Sequence, residues 1–424
     1  MNAILSSSFL LQAWRLGLLV NMYGPDIMVY LSEVVTVCNL SIVVVGYNRL
    51  DAVKNLTRSL LAAKYERGID LWFSFDRSDL QNELVRYANS VEWPNGNKYV
   101  RAFDERQGLR QHILSCGDLT ERYDAVVVLE DDLEVSPYFL GYVLQALDAY
   151  GNDSRVAGIS LYKHCFHPGV NRPFEPEDNG ADVYAMQFAM SWGQCWTREM
   201  WQGFRAWYSE NSSKDLAAGD LLPRYVARWN EKSWLKYYMR YIVETDKYFV
   251  YPNTSLTTNS SKAGEHRDSS CDDYMVPLLR GTKKYSMPAL DLLVRYDVFF
   301  ERQTIKSSYL DEYEGKVLLD LYGERRSLED CDFLVSTAVR PLKIVDEFSM
   351  RCRPIEANCY HPTPGKEIRV YDVHCAAKAV PIKRKTVQQT RYDVKGVHWK
   401  GLLHLGLSGL YGAIKTRLDG IKRG

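Results

Sequence analysis

Three consecutive carboxylates, Glu130-Asp131-Asp132, follow the uninterrupted apolar run Ala125-Val126-Val127-Val128-Leu129. Acids packed side by side repel one another and raise at least one pKa unless a cation joins them. Carboxylate oxygens suit a hard divalent ion such as Mn2+ or Mg2+, which would also neutralise the phosphate oxygens of a ligand. The competing reading is an acidic loop that caps the next helix, with Glu134 and Ser136 contributing. Two other polar positions end apolar runs in the same way. Tyr47-Asn48-Arg49 follows Leu40-Ser41-Ile42-Val43-Val44-Val45-Gly46, and Asp76 follows Asp70-Leu71-Trp72-Phe73-Ser74-Phe75. With Gly46 the single glycine there and no glycine-rich cradle, phosphate contacts fall to Arg49 and the metal. Zinc hydrolysis fits poorly, because no His-x-x-x-His or Glu-x-x-His spacing accompanies the triplet. His164 and His167 read as a solvated loop pair.

The elements that must position these residues alternate. The run 40–46 reads as a strand buried on both faces, and 49–65 as a helix with Val53, Leu56 and Leu60 on its apolar stripe. Strands at 70–75, 98–103 and 125–129 alternate with helices at 79–89 and 107–120, the latter carrying Arg110, which is counted with the ligand-side residues. This predicts an α/β, doubly wound, Rossmann-like sheet with helices on both faces, plus a smaller mixed C-terminal subdomain. Ligands in such sheets lie outside the carboxyl ends of the strands, where Arg49, Asp76 and the triplet all fall. Ser136-Pro137 reads as the start of a helix to Tyr150, 167–182 as a surface loop and 253–273 as a mobile lid. The expected divisions are an N-terminal extension (1–39), the sheet domain (40–285), the mixed subdomain (286–395) and an amphipathic tail (396–424).

Lys+Arg and Asp+Glu both number 53, so no global field exists to hold nucleic acid, and any charged ligand needs a local site. Nine cysteines, an odd number without CxxC pairs, argue against a disulfide framework. Phe9–Val20 is too short to span a bilayer and is interrupted by Arg15. The tail from Val397 combines leucines with late lysines and arginines, which fits either a cap on the fold or a peripheral membrane contact.

The stretch Val126-Val-Val-Leu-Glu-Asp-Asp-Leu-Glu-Val-Ser-Pro-Tyr-Phe139 resembles the N-acetylglucosaminyltransferase I family of the GT-A fold, and bacterial sugar transferases of surface polysaccharides. The likeness runs from about Ser41 to His266. It implies that Asp132 is the single direct protein ligand of manganese and that Glu130 and Asp131 touch the sugar and ribose. It also implies that Arg49, with Gly46 and Tyr47 before it, contacts the phosphates and that Asp76 bonds the uracil ring. Gly264, Glu265 and His266 fall where the family has a loop closing over the nucleotide. Trp192 and Trp196 fall near an acceptor-side Gly-Trp element, with core packing as the alternative. The family's general base is an aspartate that Trp234-Leu-Lys-Tyr-Tyr-Met-Arg240 lacks, which leaves Glu231 as the nearest acid upstream.

The expectation is therefore a metal-dependent glycosyltransferase of bacterial polysaccharide biosynthesis. It would move a hexose or N-acetylhexosamine from a UDP-sugar to a glycan or lipid-linked acceptor, in the cytoplasm or at the inner membrane face. The alternative is a catalytically inactive relative that binds a nucleotide-sugar or glycan as a partner.

Overall fold

A computed structural model describes residues 39–214, 221–259, 274–328, 331–398, 400–404 and 406–408. Gly264, Glu265 and His266, residues 1–38 and the tail beyond 408 lie outside the described residues. Strands and helices alternate as β1 (Leu40–Gly46), α1 (Leu50–Leu61), β2 (Asp70–Phe75), α2 (Gln81–Ser90), β3 (Lys98–Ala102), α3 (Gly108–Gly117) and β4 (Ala125–Glu130). β1 pairs in parallel with both β2 and β4, and β2 with β3. The strand order β3-β2-β1-β4 reverses direction between β1 and β4. Right-handed crossovers then put α1 and α2 on one face and α3, which runs back past two strands, on the other. The predicted α/β sheet with helices on both faces is what forms.

The chain continues with β5 (Leu133–Val135), α4 (Phe139–Tyr150), β6 (Val156–Ser160), β7 (Phe166–His167), β8 (Arg172–Pro173), β9 (Val183–Met186) and β10 (Gln194–Thr197). α5 (Arg198–Asn211), α6 (Trp234–Glu244), β11 (Tyr248–Pro252), β12 (Thr257–Asn259) and β13 (Arg295–Tyr296) follow. The main sheet has nine strands in the order β13-β9-β11-β6-β10-β4-β1-β2-β3. β10 runs antiparallel to both neighbours, so its first residue lies at the edge where β4 ends. Thr197 caps α5 by accepting from the Met200 N–H, and Ser233 caps α6 through Lys236. These two helices bury Trp201, Trp234 and Tyr238 against Trp196 of β10. A Cβ on Gly117 would sit 2.2 Å from the Trp201 ring, so glycine there lets α3 close on α5.

A second sheet, ordered β14-β15-β17-β16, is built from β14 (Val317–Asp320), β15 (Phe333–Ser336), β16 (Leu342–Phe348) and β17 (Ile368–Ala376). α7 (Lys385–Asp393) is tied back by an ion pair from the buried Arg172 Nε to Asp393, at 3.1 Å. Tyr296 of β13 donates to the fully buried Glu356 at 2.5 Å. Residues 167–182 are therefore not simply a surface loop, since Arg172 and Phe174 are buried within this seam.

The lid expected over 253–273 is corrected over its first part. Thr257–Asn259 pair antiparallel with Val135–Leu133, which fixes both this stretch and the segment following the acidic triplet, while residues 260–273 lie outside the described residues. The helix after Ser136 starts later, at Phe139, with Ser136 Oγ accepting from the Tyr138 N–H. Among the described residues no helix is long and apolar enough to cross a membrane.

Candidate functional site

The site grows from the crevice between β1 and β4, the switch point of the sheet. Val45 is in register with Glu130, so residues 47–49 and 131–132 leave neighbouring strand ends together. The Arg49 guanidinium bonds Asp131 through Nη2 to Oδ1 and through Nε to Oδ2, the latter at 3.4 Å. The same Nη2 lies 3.7 Å from Asp132 Oδ2. Burial pushes Asp131 up to about 6 in spite of Arg49. Glu130 is raised well above the usual carboxylate range, by burial first and then by Asp132 and Asp131. One guanidinium does not satisfy three acids.

Two oxygens of the triplet are left without partners. Glu130 Oε1 and Asp132 Oδ1 are buried and have no hydrogen-bond partner. Buried polar atoms without partners are uncommon and mark an ion, a water or a ligand contact. Their chemistry, hard anionic oxygen, fits Mn2+ or Mg2+. Among the described residues no three His, Cys, Asp or Glu side chains converge into a complete cage. A cation here would therefore take most of its ligands from a bound phosphate and water, as Mg2+-type sites commonly do.

Asp76 follows β2 beside this crevice, and backbone groups already engage its carboxylate. It is buried, and Oδ1 accepts from the backbone N–H groups of Arg77 (2.8 Å) and Gln107 (2.7 Å), while Oδ2 accepts from Gly108 (2.9 Å). The carboxylate clamps the entry to α3. Gly108 holds φ +73°, a conformation glycine adopts without strain. Gly46 likewise serves packing: a Cβ would meet the Phe75 ring at 3.0 Å and Val53 at 3.1 Å. Tyr47 is half-buried, with the Arg106 guanidinium 4.9 Å above its ring.

On the opposite wall, Arg110 Nη1 donates to Tyr237 Oη at 2.8 Å, and that hydroxyl donates to Glu231 Oε2 at 2.7 Å. Lys236 Nζ holds Glu231 Oε1 at 3.2 Å. The Tyr237 hydrogen bond keeps Glu231 below the usual carboxylate range. A general base needs the opposite adjustment, so this placing disfavours the role expected for Glu231. Trp192 stands just before β10, with its ring 4.3 Å from Tyr274 and 4.8 Å from Tyr162. Trp196 is wholly buried in the tryptophan core and faces no cleft. His164 and His167 are not a solvated pair either: both are buried among aromatic rings, and burial pushes both down to about 3.

The sequence reading passed over Gln194, which begins β10 opposite Val128 and is fully buried with both amide atoms unpartnered. Its only signal was a polar residue inside the aromatic stretch Trp192-Gly-Gln-Cys-Trp196.

No family model matches the chain, and no curated protein matches it. Solved structures do. The mannosyltransferase PcManGT from Pyrobaculum calidifontis, in complex with GDP-Man and Mn2+, shares 14% identity at a TM-score of 0.28, over 38% of this chain and 45% of that one. TarS 1–349 of S. aureus shares 12% identity at a TM-score of 0.32, over 53% and 60%. GalNAc-T7 with UDP, GalNAc and Mn2+ shares 12% at a TM-score of 0.36, over 51% and 43%. The chain thus spans about half the length of these structures. Likenesses so partial leave its chemistry to be argued from its own residues.

Proposed function

We propose that the chain is a metal-dependent glycosyltransferase that holds a nucleoside diphosphate sugar at Glu130-Asp131-Asp132. The observation carrying this reading is the pair of buried, unpartnered carboxylate oxygens on Glu130 and Asp132, set at the switch point beside Arg49. Asp132 Oδ1 would hold the ion. Bound there, a divalent cation would stabilise negative charge on a departing diphosphate. Arg49, whose Nη2 already reaches between Asp131 and Asp132, is placed to orient phosphate oxygens. Asp76 acts at one remove by fixing the backbone at the start of α3. A UDP-sugar donor, a glycan or lipid-linked acceptor and a place in bacterial polysaccharide synthesis at the inner membrane face complete the proposal. Their support is the resemblance over residues 126–139, together with Lys415, Arg417, Lys422 and Arg423 in the tail for the membrane contact.

Manganese-dependent hydrolysis or transfer of a UDP-sugar tests this reading, and full retention of that activity in Asp132→Ala would sink it. The second reading, a relative that binds a nucleotide-sugar without transferring it, is favoured by the engagement of Glu231 with Tyr237 and Lys236. Turnover of a donor with a cellular acceptor extract would remove it.

A further inference from the structure

Gln194 carries a polar amide at a place where the fold gives it nothing to bond. The residue is fully buried, yet neither Nε2 nor Oε1 has a partner. An unsatisfied buried amide costs on the order of 1–3 kcal/mol, and an apolar side chain of similar shape would avoid that cost. The neighbouring strands do not explain it. Gln194 pairs across β10 with Val128 on β4 and Ser160 on β6, and Ser160 Oγ is committed to the Tyr162 carbonyl.

Its position along the sheet gives a reason. Residues paired across strands share a face, and residues two apart on one strand share it too. Gln194, Val128 and Glu130 therefore project from the same side, with Gln194 and Glu130 as diagonal neighbours about 7–8 Å apart, within reach of long side chains. Trp196, two residues further along β10, belongs to the same face and fills the core beneath. Gly193, on the opposite face, has φ +95° and ends the strand, so Gln194 is the last β10 side chain on this face. The unmet polar atoms on this face thus include a carboxylate oxygen at Glu130, the Trp196 indole N–H and an amide donor and acceptor at Gln194.

We infer that Gln194 is a specificity residue for the sugar of the nucleotide-sugar donor, sharing a polar substituent of that sugar with Glu130. This rests on the donor site proposed above. A sugar hydroxyl both donates and accepts, as does an acetamido group. Either would satisfy the amide and the carboxylate oxygen together. A site built to hydrogen-bond a substrate group discriminates strongly against ligands without it, because its own buried groups are then left unpaired.

Calorimetric titration with Mn2+ and UDP, UDP-glucose or UDP-N-acetylglucosamine, on the wild type and on Gln194→Met, tests the inference. The wild type is expected to bind one UDP-sugar at least tenfold more tightly than UDP. Gln194→Met is expected to keep UDP affinity within about twofold and to lose that increment. Retention of the increment in Gln194→Met overturns the inference alone, as does a wild type that binds UDP and both UDP-sugars equally. A wild type that binds no nucleotide with Mn2+ overturns the donor site and this inference with it. Should Gln194→Met fail to fold, Gln194→Leu and the wild-type comparison of sugars decide the question by the same criteria.

Discussion

At the scale of single residues, the chemistry is concentrated in a few side chains whose partners are partly missing. Asp132→Ala is expected to abolish the rise in Tm that UDP with Mn2+ gives the wild type, since a ligand that binds only the folded state stabilises it. Arg49→Lys removes the fork that spans Asp131, and a point charge does not reproduce a bidentate pair. Its expected effect is a loss of about 1–3 kcal/mol in denaturant stability, of the size seen when a charged hydrogen bond is broken. The triplet was legible in the sequence because an unbroken β-branched strand ends on it. The engagement of Glu231 with Tyr237 and Lys236 follows from how α6 lies and could not be read from spacing. Gln194 was invisible for a related reason: only strand pairing shows that it neighbours Glu130.

Among the elements, the alternation from β1 to β4 could be read directly, since β1 and β4 are apolar runs and α1 carries a clear stripe. β5 and β12 could not. Strands of three residues have too little periodicity to detect, and their pairing joins positions far apart in the chain. α3 could be read as a helix, but not what places it: its entry depends on the Asp76 clamp and its packing on the approach of Trp201. Gly117→Ala is expected to lower stability by about 1–3 kcal/mol, the range for overpacking a dense interior. Urea denaturation measures this, and a further substitution of Trp201 by Leu should recover part of the loss, because it removes the ring that the new methyl meets.

For the whole molecule, the seam beyond Pro288 carries buried carboxyls that make stability depend on pH. Burial pushes Glu356 up to about 7, although the Tyr296 hydrogen bond opposes the shift. Because this folded-state value lies above the ordinary 4.5, its contribution is fully present in acid and fades as pH rises through 7. Glu301, raised by burial and by Asp320, acts in the same direction. The urea midpoint should therefore fall as pH rises from about 4.5 to about 7, and Glu356→Gln should flatten part of that slope. The sequence showed these acids only as members of a balanced total of 53 acids and 53 bases. That balance also gives the Arg49–Asp131 pair a kinetic meaning. With no overall field to steer ligands, encounter depends on the local potential, in which Asp131 and Asp132 outnumber Arg49. An approaching diphosphate is repelled until a cation has entered, so arrival should be ordered, metal before nucleotide. Stopped-flow traces would show UDP associating quickly with protein already mixed with Mn2+. Without metal, association should be slow, and added salt should speed it by screening the repulsion.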